Sequence, residues 1–320
     1  MTLDSVDKRL LYELDQNARQ GISAVAKKLR LNRNVALYRF NRLKKQAIVK
    51  YAFAEINSVG LGYYSFRVFL KLGNFTKSQE QDLSTYLLKQ KNLIWFSRVL
   101  GKWDLDIVYA TKDIHKFAEF KSELLLAFNS IIEDFEIALL LDIYCYSKDY
   151  LVNRERKNTL VKHFGKVNYA ADKKDLELLV LLTKDAMMPV LELAKRTDLS
   201  VNTVKKKMKT MEREGIILSY RLFLDTAKLG YHYYKLHMRL RNYNKQDLAA
   251  FRSFLETKSY MIYTDHHLDA DDFQIELQLE SEPEYLAFLD ELYASFGRII
   301  KEHFVIKFYE EKLFRYLPEE

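Results

Sequence analysis

The chain has 320 residues, 51 Lys+Arg against 44 Asp+Glu, a formal net charge of +7 and 48% apolar residues, enough for ordinary packed cores in two to four domains at roughly 100–200 residues each. Only nine Gly and three Pro are present, which argues for long regular elements joined by short loops. The one cysteine, Cys145, excludes a fold stapled by internal disulfides and reads as a small buried side chain in a strand. The start of the chain has no apolar signal region, and no apolar run approaches the roughly 18 residues of a membrane helix, so the expectation is a soluble, cytoplasmic protein with no membrane partner.

The first elements are helical. Asp4 is placed to cap a helix whose Val6, Leu10, Leu11, Leu14 and Ala18 recur at helical spacing. A short second helix carries Ile22, Val25, Ala26 and Leu29. After the turn Arg30-Leu31-Asn32, a third runs from about Arg33 to Gln46 with Ala36, Phe40 and Leu43 inward. Three short helices with a tight turn before the last describe a helix-turn-helix, whose final helix enters the DNA major groove. Its outward face shows Arg33, Asn34, Tyr38, Arg39, Asn41 and Arg42. Arg and Asn can each read a base edge with two hydrogen bonds.

Beyond Ile48-Val49 the pattern turns strand-like. Phe66, Val68, Leu70 and Leu72 alternate with Arg67, Phe69 and Lys71. A helix over 78–90, strands over 93–100 and 105–110, a helix over 114–128 and a strand over 135–144 complete a βαββαβ order. That order predicts a four-stranded antiparallel sheet with helices on one face.

A polar, basic segment follows, over 147–171, and then the chain repeats itself at an offset of 168. Asp4 and Asp7 fall on Asp172 and Asp175, and Leu10, Leu11 and Leu14 on Leu178, Leu179 and Leu182. Leu61-Gly62-Tyr63 falls on Leu229-Gly230-Tyr231. One register held over about 75 residues marks a duplicated domain pair. Helices are expected over 173–185, 190–197 and 201–214, with Ser200 capping the last. That helix shows Asn202, Lys205, Lys206, Lys207 and Lys209. Strands and helices then recur to a final strand over 303–309. The charge is uneven. Residues 1–60 hold twelve basic and five acidic side chains, residues 221–320 thirteen and eighteen. The front modules are therefore the ones expected to bind a polyanion.

The whole chain resembles two fused copies of the Lrp/AsnC, or feast/famine, family of transcription regulators. The resemblance is carried by Leu3-Asp4-Ser5-Val6-Asp7 with Leu10-Leu11, by Leu199-Ser200 to Val204, and by Met211-Glu212-Arg213-Glu214-Gly215-Ile216-Ile217 with Leu229-Gly230. Copy one is looser: Ala47 stands where the family has Gly. The resemblance implies an α+β fold: a tandem repeat of a winged-type helix-turn-helix followed by a ferredoxin-like βαββαβ domain, which the family calls RAM. The divisions expected are 1–52 and 53–146, a linker over 147–171, then 172–220 and 221–320. It implies double-stranded DNA as partner, RAM sheets paired into dimers or larger homo-oligomers, and a small-molecule effector such as an amino acid. Such effectors bind near a Gly-x-x-Asp hairpin, kept in copy one as Gly101 to Asp104 and departed from in copy two as Asp269 to Asp272.

The reading is thus a sequence-specific regulator that imitates the family's homodimer within one chain, with DNA contacts from Arg33, Asn34, Tyr38, Arg39, Asn41, Arg42, Asn202, Lys205, Lys206 and Lys209. No nucleophile–base pair or phosphate-binding glycine loop is present, and the expectation is no enzyme, no cofactor and no metal. Two alternatives stay open. Siroheme decarboxylases of haem biosynthesis share this paired architecture, and a degenerate helix-turn-helix protein could instead pair with related regulators. His266 and His267 read as exposed loop residues.

Overall fold

The computed structural model describes residues 3–152, 162–163, 165, 167–268 and 272–319. The expected linker stretch 153–161 and Asp269 to Asp271 lie outside them.

In chain order the first copy holds α1 (Ser5–Gln16), α2 (Ile22–Leu29), α3 (Arg33–Lys45), β1 (Val49–Ile56), β2 (Tyr64–Leu72), α4 (Lys77–Leu88), β3 (Leu93–Gly101), β4 (Leu105–Thr111), α5 (Ile114–Ala127) and β5 (Ile132–Cys145). A short strand, β6 (Lys162–His163), precedes the second copy. That copy holds α6 (Lys173–Lys184), α7 (Val190–Thr197), α8 (Val201–Arg213), β7 (Ile217–Leu224), β8 (His232–Leu240), α9 (Lys245–Thr257), β9 (Met261–Leu268), β10 (Phe273–Leu279), α10 (Glu282–Phe296) and β11 (Ile300–Phe314).

The helix starts follow from their caps. Asp4 accepts the Asp7 amide at 2.8 Å, and Asn32 accepts that of Asn34 at 2.8 Å. Asp172 accepts the Asp175 amide at 2.8 Å and Ser200 that of Thr203 at 3.1 Å. Each side chain satisfies a donor that the first helical turn leaves without a partner.

The two copies are joined in two layers. In the first, β1 pairs antiparallel with β7, so the wing strand of one helix-turn-helix completes the other. One hydrophobic core runs from Leu10, Leu11 and Leu14 through Phe53 and Leu222 to Leu178, Leu179 and Leu182. The Ala186 amide bonds to the Ala52 carbonyl at 2.8 Å, and Arg19 donates to the Ala186 and Met188 carbonyls. The front modules are therefore a single packed unit.

In the second layer each copy makes the expected four-stranded sheet, in the orders β5-β2-β4-β3 and β11-β8-β10-β9. The long strands β5 and β11 then reach beyond their own sheets. β11 pairs with β3 (Ile306 opposite Gly101) and β5 with β9 (Leu139 opposite Leu268). The two sheets close edge to edge into a barrel. Sequence reasoning took from the family a sheet-against-sheet pairing; the structure adds these two hydrogen-bonded seams. Among the described residues, closure leaves no bare row of N–H and C=O groups on either sheet, which removes the edges that would otherwise recruit another chain.

Strand alternation separates two cores. Val68, Leu70 and Leu72 face α4 and α5 with Leu83, Leu87 and Phe117, and Leu236, Met238 and Leu240 face α9 and α10 with Phe251 and Phe288. The other strand faces point into the lumen, where Phe69, Trp95, Trp103, Tyr233 and Phe308 cluster. Cys145 is buried at the end of β5, as read from sequence.

Candidate nucleic-acid interface

The exposed face of α3 carries Arg33, Asn34, Tyr38 and Asn41, and the equivalent face of α8 carries Asn202, Lys205, Lys206 and Lys209. Inward residues at the same spacing hold both helices down: Ala36, Phe40 and Leu43 in α3, Val204, Met208 and Met211 in α8. Tyr38 is 68% exposed, so its ring is open to a partner on this face. Arg33 donates from Nε to Ser23 Oγ at 3.1 Å, which leaves the rest of its guanidinium at the surface.

Arg39 and Arg42 take another place than the sequence gave them. Arg39 donates to Asp4 Oδ2 at 2.6 Å and to Asp7 Oδ1 at 2.9 Å, and Arg42 pairs with the other oxygen of Asp7. Asp7 is buried, so these guanidinium groups neutralise a carboxylate that would otherwise be stranded. The hydrogen bond from Arg39, with the Asp7 amide, holds the Asp4 carboxyl below its ordinary range. Copy two repeats the device: Lys207 donates to Asp172 at 2.6 Å and to the buried Asp175 at 2.9 Å. These residues clamp the third helix of each module to the first. The signal was present in the sequence, since Asp7 and Arg39 recur as Asp175 and Lys207 at the repeat offset.

A second buried cluster ties the first module to the joined wings. Asp15 accepts from Lys148 at 2.7 Å, from Arg221 at 2.8 Å and from the Leu222 amide at 3.1 Å. Burial alone would raise its pKa, but Arg221 and Lys148 outweigh burial and hold it at about 2. Glu55 of β1 accepts from Ser219 of β7 at 2.6 Å and from Tyr316 at 3.1 Å. The orientation of the recognition helices is thereby fixed by groups from both copies and from the chain that leaves the barrel.

The hairpin read as an effector site is part of a seam. Gly101 has φ +131°, and a Cβ there would stand 2.5 Å from the Val305 carbonyl oxygen of β11. The glycine is therefore required by the close approach of the two copies. Asp104 Oδ2 accepts the Leu72 amide at 2.8 Å, and the carboxylate pairs with Lys71 at 3.1 Å. Asp272, its equivalent, accepts the Leu240 amide at 2.6 Å. Both carboxylates are thus engaged with the chain itself.

The lumen holds a network that sequence reasoning missed. Arg67 of β2 meets Asp106 at 3.2 Å, Asp265 at 2.8 Å and Glu276 at 3.4 Å. Lys235, the equivalent of Arg67, meets Asp265 at 2.8 Å and Glu276 at 2.9 Å. Tyr233 donates to the second oxygen of Glu276. Burial pushes the Asp106 carboxyl up to about 7. His237 and His267 lie in the same lumen, and burial lowers both well below the usual imidazole value. His267 is therefore not an exposed loop residue: β9 extends to Leu268, and its alternation turns His267 inward with Asp265. His266, on the other strand face, packs against Arg252 and Tyr144.

A winged helix-turn-helix DNA-binding family matches residues 172–217. Over 60 residues the chain is 40% identical to the HTH-type transcriptional regulator LrpA of Pyrococcus horikoshii, covering 19% of this chain and 43% of that one. An uncharacterized HTH-type transcriptional regulator of the same organism is 30% identical over 105 residues, 32% of this chain and 69% of that one. The chain thus spans less than half the length of LrpA and about two thirds of the second relative. Among solved structures, the siroheme decarboxylase NirDL is similar across 99% of this chain and 94% of its own, with a TM-score of 0.63 at 9% identity. At that identity the likeness is one of fold. It nonetheless overturns the expectation that the chain is no enzyme, because the same double architecture, end to end, is that of an enzyme.

Proposed function

The chain belongs to the Lrp/AsnC family of HTH-type transcriptional regulators, and we propose that it is a sequence-specific regulator in which one polypeptide, divided as the sequence analysis sets out, does the work of the family's homodimer. The observation that carries this reading is the pair of unlike recognition faces on one rigid front unit. The α3 face offers Arg33, Asn34, Tyr38 and Asn41, which suit base edges and stacking. The α8 face offers Asn202, Lys205, Lys206 and Lys209, which suit phosphates with one base-reading amide. A symmetric dimer mirrors a palindrome; two unlike helices call for two unlike half-sites.

The test is a binding titration on random duplex DNA and on the protein's own promoter region at two salt concentrations. Affinity should fall by roughly 0.9 log unit per log unit of salt for each phosphate neutralised. Sites selected from a random pool should be non-palindromic; strictly palindromic sites would count against the reading. An amino-acid effector and assembly into larger homo-oligomers remain part of the proposal. Sedimentation tests the assembly, and a species of only 38.0 kDa would remove it.

The likeness over the full chain favours a second reading, a decarboxylase acting on a tetrapyrrole. Incubation with siroheme, followed by an absorbance scan and assay of released carbon dioxide, separates the two.

A further inference from the structure

The last turn of α8 is held from the other copy. Tyr220 of β7 is buried, and its hydroxyl donates to Glu212 Oε1 in that turn at 2.6 Å. The Arg19 guanidinium lies over the Tyr220 ring, 5.6 Å from its centre. Arg19 is itself anchored, because one terminal nitrogen donates to the Ala186 carbonyl at 2.5 Å and to the Met188 carbonyl at 3.0 Å. Those carbonyls stand between α6 and α7 of the second module. Each of these Arg19 contacts crosses from copy one to copy two. A guanidinium over the ring limits where the ring can sit, and the ring's hydroxyl limits where the end of α8 can sit. The device runs one way. In the repeat register Met187, Ala52 and Lys44 stand for Arg19, Tyr220 and Glu212, a set with neither guanidinium nor phenol. The end of α3 is met instead by Lys228, which donates to the Gln46 carbonyl at 3.2 Å.

We infer that Arg19 is a positioning residue for the second recognition helix: from the first module it fixes, through Tyr220 and Glu212, the orientation in which α8 presents Asn202, Lys205, Lys206 and Lys209 to DNA. The inference rests on the DNA-binding reading. Contacts to base edges tolerate displacements of only about 0.5 Å and 10–20°, whereas attraction to phosphates does not depend on so exact a fit. A small rotation of α8 therefore costs specific contacts and leaves non-specific binding in place. The two half-sites are not read independently, because the helix that reads the second is supported by the module that reads the first.

The test titrates the intact protein on the site selected by the wild type and on random duplex DNA, with base protection mapped across both half-sites. Arg19→Met and Tyr220→Phe should each lower affinity for the selected site about tenfold, the low end for losing one base contact. Protection should weaken in the half-site that the protein with Lys205→Glu and Lys206→Glu also loses. Affinity for random DNA and the salt slope should match the wild type, because Arg19 gives up no phosphate. Arg19→Lys keeps a cation able to donate to both carbonyls and should restore part of the affinity. Amide exchange on the DNA-free protein checks the position of α8 separately. There Arg19→Met should speed exchange from Thr210 to Glu214 by about fivefold or more and leave α3 unchanged. Unchanged exchange in that turn would overturn the inference, as would an Arg19→Met protein that binds the selected site like the wild type. So would a loss shared equally by both half-sites, or a salt slope lower by about one unit, which would make Arg19 a phosphate contact. A wild type that binds no DNA would sink the DNA-binding reading instead, and the exchange result would still decide whether Arg19 holds α8.

Discussion

Arg67 and Lys235 occupy equivalent places in the two copies, and both donate to one oxygen, Asp265 Oδ2, at 2.8 Å each. The duplication has brought two cations to the middle of one lumen. The carboxylates that balance them are not duplicated. Asp265 and Glu276 of copy two stand opposite Ser97 and Val108 of copy one in the repeat register. Arg67 of copy one therefore draws on Asp265 and Glu276 of copy two as well as on its own Asp106, which ties the two copies together across the lumen.

The raised Asp106 predicts a pH dependence. Its pKa is about 7 when folded against an ordinary 3.8, so the folded state holds a proton that the unfolded chain releases. That contribution to stability is full below about pH 4, and it is lost as pH rises from there through 7, by about 1.4 kcal/mol per pH unit. Asp106→Asn keeps the shape and removes the titration. Denaturant unfolding of both proteins at pH 5 and pH 7.5 should show the variant gaining on the wild type at the higher pH. A constant difference would show that Asp106 stays ionised throughout.

Asp15→Ala should destabilise the protein by about 3–5 kcal/mol, because it leaves Arg221 and Lys148 buried beside each other with their main acceptor gone. Urea unfolding measures the loss. A change under 1 kcal/mol would mean that water reaches the site and solvates both cations.

Ala47 is held at φ +53°, in the left-handed region, just after α3. Its equivalent, Gly215, has φ +72°. A Cβ is costly in that region, and Ala47→Gly should therefore stabilise the protein by about 0.5–1 kcal/mol, read as a small rise in the thermal midpoint. An unchanged or lowered midpoint would show that the added freedom of the unfolded chain outweighs the relief.

Arg39→Glu and the pair Lys205→Glu with Lys206→Glu should fail in different ways. The first sets a third acid against Asp4 and Asp7, so its thermal midpoint should fall by several degrees along with any loss of DNA affinity. The second lies on an exposed face and should lose affinity and salt slope with its midpoint unchanged. Full DNA binding by the lysine pair variant would assign α8 a structural role.

The sequence by itself determined the duplication, the three-helix modules and the βαββαβ order. Those rest on local periodicity and caps: Leu10, Leu11 and Leu14 at helical spacing, Asn32 and Ser200 before their helices, Val68 to Leu72 in alternation. It also determined which helix faces are polar, and hence where DNA contacts are to be sought. Tertiary structure alone decided that β1 pairs with β7, that β5 and β11 carry the sheets into a barrel, and that Arg67, Lys235, Asp265 and Glu276 meet. Strand pairing between distant segments leaves no local trace, because any two alternating strands satisfy the same pattern. The same holds for Arg39: a helix wheel shows that it points away from the core of its own helix. Only the position of Asp7 on α1 decides that it points to a buried carboxylate instead of to solvent.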